Sequence, residues 1–147
     1  MSSLDKAILI ACQAHTEQVD KAGQPYIMHP LRLILKFDND IERIVAVLHD
    51  VIEDSNTTTD DLYHYGFCKE VIDAINCLSK RDDEAYDDFI LRISKNSLAA
   101  KIKIEDLKDN LNLVRINCIG KKDLARVVKY HKALKFLLGS NGNSSEK

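Results

Sequence analysis

Apolar residues recur along most of the chain at intervals of three and four, the spacing that places them on one face of an α-helix. Polar turns separate these runs, and no stretch alternates apolar and polar residues as a half-buried strand would. The pattern predicts an all-α protein, an orthogonal bundle of about seven or eight helices. The predicted helices cover approximately residues 3–21, 31–37, 41–54, 59–65, 68–79, 85–94, 98–116 and 123–138.

The 147 residues are 45% apolar and contain few glycines or prolines, which favours one compact domain. We expect this domain over residues 1–139 and a disordered tail over residues 140–147. The net charge of −2 gives no overall attraction to nucleic acid or to an anionic membrane. Because the sequence shows neither a signal peptide nor an apolar run of ~18 residues, we expect a cytoplasmic protein.

Four cysteines are scattered along the chain, at Cys12, Cys68, Cys77 and Cys118. None forms a C-x-x-C pair of the kind that binds a metal or cycles as a redox disulfide. Each has apolar neighbours in the sequence. We therefore expect reduced thiols that are buried in the core, where cysteine behaves as a small apolar residue.

The segment 41–54, IERIVAVLHDVIED, has an apolar run that is broken by His49, Asp50, Glu53 and Asp54. On one continuous helix these four side chains form two adjacent stripes, one turn apart. Carboxylates in an apolar setting repel each other and are costly to desolvate, so a bound cation is a natural way to hold them together. The alternative is a solvated helix edge that carries a neutral histidine.

The predicted helix 98–116 has a polar line beside its apolar face. Lys103, Asp106 and Asn110 stand at i, i+3 and i+7, and we interpret Lys103 as a solvated or structural lysine. The residues that are expected to face the core repeat at three and four positions and are Ile104, Leu107, Leu111 and Val114.

A metal site follows if these two helices face each other. Asp106 would then join His49 and Asp50, together with His29, which the prolines of PYIMHP hold just before a helix start. Two imidazoles and two carboxylates suit Mn²⁺, Fe²⁺ or Zn²⁺ better than Ca²⁺ or Mg²⁺. Water bound to such a metal becomes a nucleophile near neutral pH. Spacing alone leaves buried polar pairs and a helix-capping histidine as alternatives.

The order of these residues, a histidine, a His-Asp pair and a distant aspartate, resembles the HD superfamily of metal-dependent phosphohydrolases. The words DKAGQPYIMHPLR, VLHDVIEDS, DDLYHYGF, LSKR and KIKIEDLKDNLNL resemble, in the same order, the (p)ppGpp hydrolase domains of RelA/SpoT-type proteins and small stand-alone alarmone hydrolases. The resemblance extends from about residue 4 to residue 138. It implies the helical HD-domain fold.

The resemblance implies a role for each matching residue. The metal ligands, usually for Mn²⁺, match His29, His49, Asp50 and Asp106. Glu53 and Asp54 match the acidic pair that orients or deprotonates the attacking water. Asn110 matches a residue near the ribose, and Tyr26 matches one that lines the nucleotide pocket. Basic positions near the phosphates match Lys21, Lys80 and Arg81.

The implied reaction is hydrolysis of the 3′-pyrophosphate ester of ppGpp or pppGpp, which gives GDP or GTP and pyrophosphate, with no cofactor beyond the metal. The chain has no room for synthetase and regulatory domains, so only degradation is expected.

Two departures keep other functions open. Asp20 stands where a basic residue is common, and Asp109 replaces an aromatic or imidazole residue before Asn110, which could alter the pocket around the base. Either change could indicate another substrate, such as a nucleotide 3′-phosphate, NADPH or a nucleoside polyphosphate. A third hypothesis is a nucleotide-binding partner that no longer turns over, although all six ligand and acidic positions are filled.

Overall fold

The structure is a computed structural model that describes residue 1 and residues 3–142. Within that part of the chain it is helical, with one isolated β-bridge between Val19 and Pro25. The all-α prediction is therefore confirmed. The helices are α1 (Ser3–Ala14), α2 (Met28–Ile34), α3 (Asp40–Leu48), α4 (Val51–Asp54), α5 (Thr59–His64), α6 (Lys69–Cys77), α7 (Tyr86–Ser94), α8 (Ser97–Asn110) and α9 (Lys121–Gly142), with a short 3₁₀-helix at Leu113–Arg115.

The core is built around α3, which contacts α1, α2, α6 and α8. Its apolar residues 44–48 are each at most 3% exposed, as expected for a helix that is surrounded on most of its circumference. Burying a side chain of this kind stabilises the fold by roughly 1.5–3 kcal/mol. None of the helices in the described residues combines the length and the apolar character that crossing a membrane requires.

The predicted helix 41–54 is interrupted at His49 and Asp50. The Nδ1–H of His49 donates to the Ala46 carbonyl at 2.6 Å, and a continuous helix would offer that carbonyl to the N–H of Asp50. Asp50 has φ −103° and ψ −2°, and its carbonyl then accepts from the N–H of Asp54 at 3.0 Å to begin α4. The histidine side chain thus competes with the backbone at this point, which the apolar pattern could not show.

Several other boundaries differ from the predictions. α1 ends at Ala14 instead of residue 21, and the turn that follows includes Glu17 in the left-handed region at φ 66°. α8 ends at Asn110, so Val114 leaves the predicted core face and is 90% exposed. α9 continues to Gly142, into the predicted tail, and residues 143–147 lie outside the described part of the chain.

The cysteines are free thiols, but the prediction that they are buried in the core is wrong. Cys12, Cys68 and Cys118 are exposed, and Cys77 is partly buried. In α1 the neighbouring residues Ile10 and Ala11 lie in the core instead of Cys12, because a helix turns adjacent residues toward different sides.

The α5 helix offers a test of local stability. Thr58 and Asp61 form a capping box, in which Thr58 Oγ1 accepts from the N–H of Asp61 at 3.2 Å and Asp61 Oδ2 accepts from the N–H of Thr58 at 2.8 Å. Thr58→Ala removes one bond of this pair and is expected to lower the free energy of unfolding by about 0.5–2 kcal/mol. Urea denaturation measures the change. Thr59→Ala, at the first helical position, serves as the control, and an equal loss in both variants would contradict the capping role.

Candidate metal centre

The four predicted metal ligands meet where α2, the α3–α4 junction and the last turn of α8 converge. His29 lies in the first turn of α2, and not just before it as predicted. Its Nε2 is 2.8 Å from Asp106 Oδ1. His49 Nε2 is 2.9 Å from Asp50 Oδ2 and 3.5 Å from the same Asp106 oxygen. Four side chains from three distant parts of the sequence therefore form one largely buried cluster.

His49 has the features of a metal ligand. Its Nδ1 is bonded to the Ala46 carbonyl, so its Nε2 is the nitrogen that faces the carboxylates. This Nε2 is buried and, despite its short distance to Asp50, makes no aligned hydrogen bond to any described residue. Ligand atoms of His29, His49 and Asp50 lie within 4.8 Å of one another. An orphaned imidazole nitrogen beside carboxylate oxygens fits a divalent cation, and this donor set suits first-row metals.

Asp106 is the centre of the cluster and is only 4% exposed. Its Oδ1 also accepts from Asn110 Nδ2 at 2.9 Å, and its Oδ2 accepts from Lys103 Nζ at 2.8 Å. Burial would raise the pKa of Asp106, but Lys103, His29 and His49 together hold it well below its usual value. Lys103 is thus a structural lysine with a side chain only 13% exposed, and the solvated alternative is wrong.

Asp50 is ionised for a related reason. Burial alone would raise the pKa of Asp50, and the neighbouring His49 lowers it to about 2. The hydroxyl of Tyr26 donates a hydrogen bond to Asp50 Oδ2. Burial and the charge of Asp50 raise the pKa of Tyr26 far above its usual value, so Tyr26 remains a donor. Tyr26 therefore fixes the orientation of one candidate ligand.

Asp109 contacts the far side of His29. Its Oδ2 lies 2.6 Å from His29 Nδ1. Arg32 donates one hydrogen bond to each Asp109 oxygen, both at 2.9 Å. Arg115 approaches the same carboxylate at 3.5 Å. A carboxylate on the second nitrogen of a ligating histidine fixes the tautomer and the ring orientation. Asp109 does not line the cavity described below, so it acts on His29 and not directly on a ligand.

Sequence reasoning missed Arg32, although a signal for it existed. Arg32 stands three residues after His29, which places both side chains on one face of α2. Arg115 gave no such signal, because its approach depends on the turn that follows α8.

A cavity of about 580 Å³ opens over the cluster. Its lining includes most of the predicted site residues, but His49 and Arg81 are not among them. The backbone N–H of Arg81 bonds instead to the carboxylate of Glu84. The predicted residues that do line the cavity are Lys21, Tyr26, His29, Asp50, Glu53, Asp54, Lys80, Asp106 and Asn110.

The acidic pair lies at the edge of this cavity. Burial raises the pKa of Glu53, although the hydrogen bond that its carboxylate accepts from the N–H of Lys80 acts in the opposite direction. Burial and the charge of Asp50 raise the pKa of Asp54. Both carboxylates are therefore stronger proton acceptors than solvated ones, and both face the space beside the cluster.

A further wall of the cavity comes from α7 and α9, and its cationic members were not predicted. Arg126 and Lys129 line the cavity near Lys21, and burial and the charge of Arg126 lower the pKa of that lysine. Lys129 Nζ lies 4.5 Å from the ring centre of Tyr86 and 5.4 Å from that of Tyr130. The periodicity of α9 could not reveal this wall, because these residues resemble an ordinary solvated helix face.

Comparison with known proteins gives partial matches. No protein-family model matches the chain. A guanosine-3′,5′-bis(diphosphate) 3′-pyrophosphohydrolase from Vibrio cholerae is 36% identical over 86 residues, which are 54% of this chain and 12% of that protein. The protein of the same name from Aquifex aeolicus is 31% identical over 120 residues, 74% of this chain and 17% of that protein. The chain therefore spans less than a fifth of the length of these relatives.

One solved structure, from work on a metazoan ortholog of SpoT that hydrolyses ppGpp, superimposes with a TM-score of 0.79 at 20% identity. The match covers 95% of this chain and 88% of the other. The two chains share their fold, which confirms the predicted helical bundle.

The contact between Asp109 and His29 can be tested through metal affinity. Asp109→Asn keeps the size of the side chain but removes the charge, and it is expected to weaken binding of a divalent ion by about 10–100-fold. Calorimetric titration with Mn²⁺ measures this affinity. Glu84→Gln is the matched control, because Glu84 also accepts a forked bond, from Arg92 at 2.8 and 2.9 Å, but lies outside the cluster. Equal affinities for Asp109→Asn and the wild type would refute the positioning role.

Proposed function

Because the chain belongs to the HD-type hydrolase domains of the RelA/SpoT proteins, we propose that it is a metal-dependent phosphohydrolase acting on ppGpp or pppGpp. It removes the 3′-pyrophosphate and releases GDP or GTP and pyrophosphate. One observation carries the proposal: the buried cluster of two histidines and two aspartates lies beside a cavity whose edge holds Glu53 and Asp54.

The proposed cofactor is Mn²⁺, held by His29, His49, Asp50 and Asp106. The orphaned Nε2 of His49 and the mixed nitrogen and oxygen donors support this assignment. A divalent ion held by these residues would supply a water of lowered pKa as a nucleophile near neutral pH. The surrounding chain contributes by holding its ligands in place: Tyr26 bonds to Asp50, Lys103 to Asp106, and Asp109 to His29.

Glu53 and Asp54 are the proposed proton acceptors. A general base must lie close to the proton that it removes and must have a pKa near the working pH. Both carboxylates line the cavity, and burial moves the pKa of each upward, in the required direction. The N–H of Lys80 bonds to Glu53 and fixes this side chain at the cavity edge.

Lysines that line the cavity are proposed to bind the substrate phosphates. Lys80 lies next to Glu53, whereas Lys21 lies near Arg126 and Lys129. More than one cationic group suits a nucleotide with phosphate groups at both its 3′ and 5′ positions. We propose that Asn110 contacts the ribose, since its amide lies beside the cluster.

A second candidate is hydrolysis of another phosphorylated nucleotide. Asp20 favours it, because this carboxylate lines the cavity next to Lys21. Its Oδ1 accepts from the N–H groups of Ala22 and Gln24, both at 2.9 Å, which fixes a negative charge at the cavity wall. Such a charge weakens the binding of a highly phosphorylated substrate relative to one with fewer phosphates.

The proposal predicts Mn²⁺-dependent release of pyrophosphate from ppGpp. Asp50→Ala removes a metal ligand, and Glu53→Gln removes a proton acceptor while keeping its shape, so each is expected to lower kcat by about 100-fold or more. Phosphorus NMR distinguishes pyrophosphate from orthophosphate as the product. Asp73→Asn is the control, because Asp73 is an exposed carboxylate that is paired with Lys69 on α6.

The same assay separates the alternatives. If the wild type leaves ppGpp intact but hydrolyses NADPH or another nucleotide, the proposed substrate is wrong and the proposed class of reaction is kept. Tight nucleotide binding in calorimetry with no turnover of any nucleotide would indicate a non-catalytic partner.

A further inference from the structure

Tyr86, the first residue of α7, has a hydroxyl that the mechanism above does not use. Its oxygen is buried, and it has no hydrogen-bond partner among the described residues. The ring is packed between Phe89 and Tyr130, with centroid distances of 6.0 and 6.2 Å. A buried hydroxyl without a partner costs about 1–3 kcal/mol, so an orphan of this kind indicates a partner that binds from outside the fold.

The same tyrosine lines the cavity, on the side of the candidate metal cluster. Lys103, which bonds to Asp106, is among the charges that act on the Tyr86 hydroxyl. Lys129 Nζ lies 4.5 Å from the Tyr86 ring centre. Tyr86 therefore lines the cavity beside two lysine side chains, whose charges favour an anionic ligand.

The chemistry of the hydroxyl narrows the ligand further. Burial, partly offset by Lys103, raises the pKa of Tyr86 to about 12, so the group is protonated at neutral pH and offers a hydrogen. A donor in an electropositive part of the cavity matches the oxygen of a phosphoryl group. A nucleobase would be recognised differently, by stacking and by groups that pair with its edges.

We propose that the Tyr86 hydroxyl donates a hydrogen bond to an oxygen of the phosphoryl group that binds beside the His-Asp cluster. Tyr86 is thereby a substrate-binding residue, and it selects for a phosphate at this end of the cavity. The inference rests on the proposed function only in identifying this phosphate as part of the hydrolysed group.

Binding of inorganic phosphate tests the proposal without requiring turnover. Protein loaded with one equivalent of Mn²⁺ and freed of excess ion is titrated with phosphate, and separately with guanosine. Tyr86→Phe is expected to weaken phosphate binding by about 10-fold or more, because the lost bond has a charged acceptor, and to leave guanosine binding unchanged. Tyr63→Phe, which alters an exposed tyrosine on α5, is the control.

Thermal unfolding of the metal-free protein distinguishes a ligand-binding hydroxyl from a structural one. Removing an orphaned hydroxyl is expected to leave Tm unchanged or to raise it. A clear fall in Tm for Tyr86→Phe, with phosphate binding intact, would mean that the hydroxyl is satisfied within the fold and would overturn the proposal. Weaker binding of guanosine, with phosphate unaffected, would also overturn it.

Hydrolysis of ppGpp separates this inference from the proposed function. If the wild type hydrolyses ppGpp and Tyr86→Phe raises KM, both are supported. If the wild type leaves ppGpp intact but phosphate binding still requires the hydroxyl, the proposed function fails and the role of Tyr86 remains. If hydrolysis and phosphate binding are both unchanged in Tyr86→Phe, the inference fails alone.

Discussion

The buried carboxylate of Asp106 is the constraint on which the site depends. An ionised carboxylate cannot remain in an apolar bundle without compensation, because removing it from water costs roughly several kcal/mol. Lys103 compensates the charge from within α8, and His29 and His49 approach from α2 and α3. These contacts bring three helices to one point. The packing of these helices and the geometry of the candidate metal centre therefore depend on the same contacts.

The side chains around this carboxylate are themselves held by a further set of contacts. Asp109, fixed by Arg32, orients His29, and the Ala46 carbonyl orients His49. The second contact also interrupts the helix and turns Asp50 toward the cluster. Metal sites require such outer contacts, since a ligand ring that rotates freely binds its ion weakly. In this chain the outer contacts come from one charged network and one break in a helix.

The cavity lining carries charges of both signs, and this limits what it can bind. Glu53 and Asp54 line it together with the carboxylates of the cluster, whereas α9 contributes Arg126 and Lys129. A cation suits the carboxylates, and an anion suits the cationic side chains. A phosphorylated nucleotide bound through a divalent ion, the proposed ligand, satisfies both requirements at once.

The sequence by itself determined the helical fold and the residues of the cluster, because three- and four-residue periodicity is local and the ordered His, His-Asp and Asp words are specific. Only the tertiary structure decided where α1 and α8 end, that the cysteines lie outside the core, and that Lys103 is buried. It also decided that Asp109 contacts His29 and that Tyr86 and Lys129 form a wall. These features depend on contacts between residues far apart in the chain, and such contacts leave no periodic trace in the sequence.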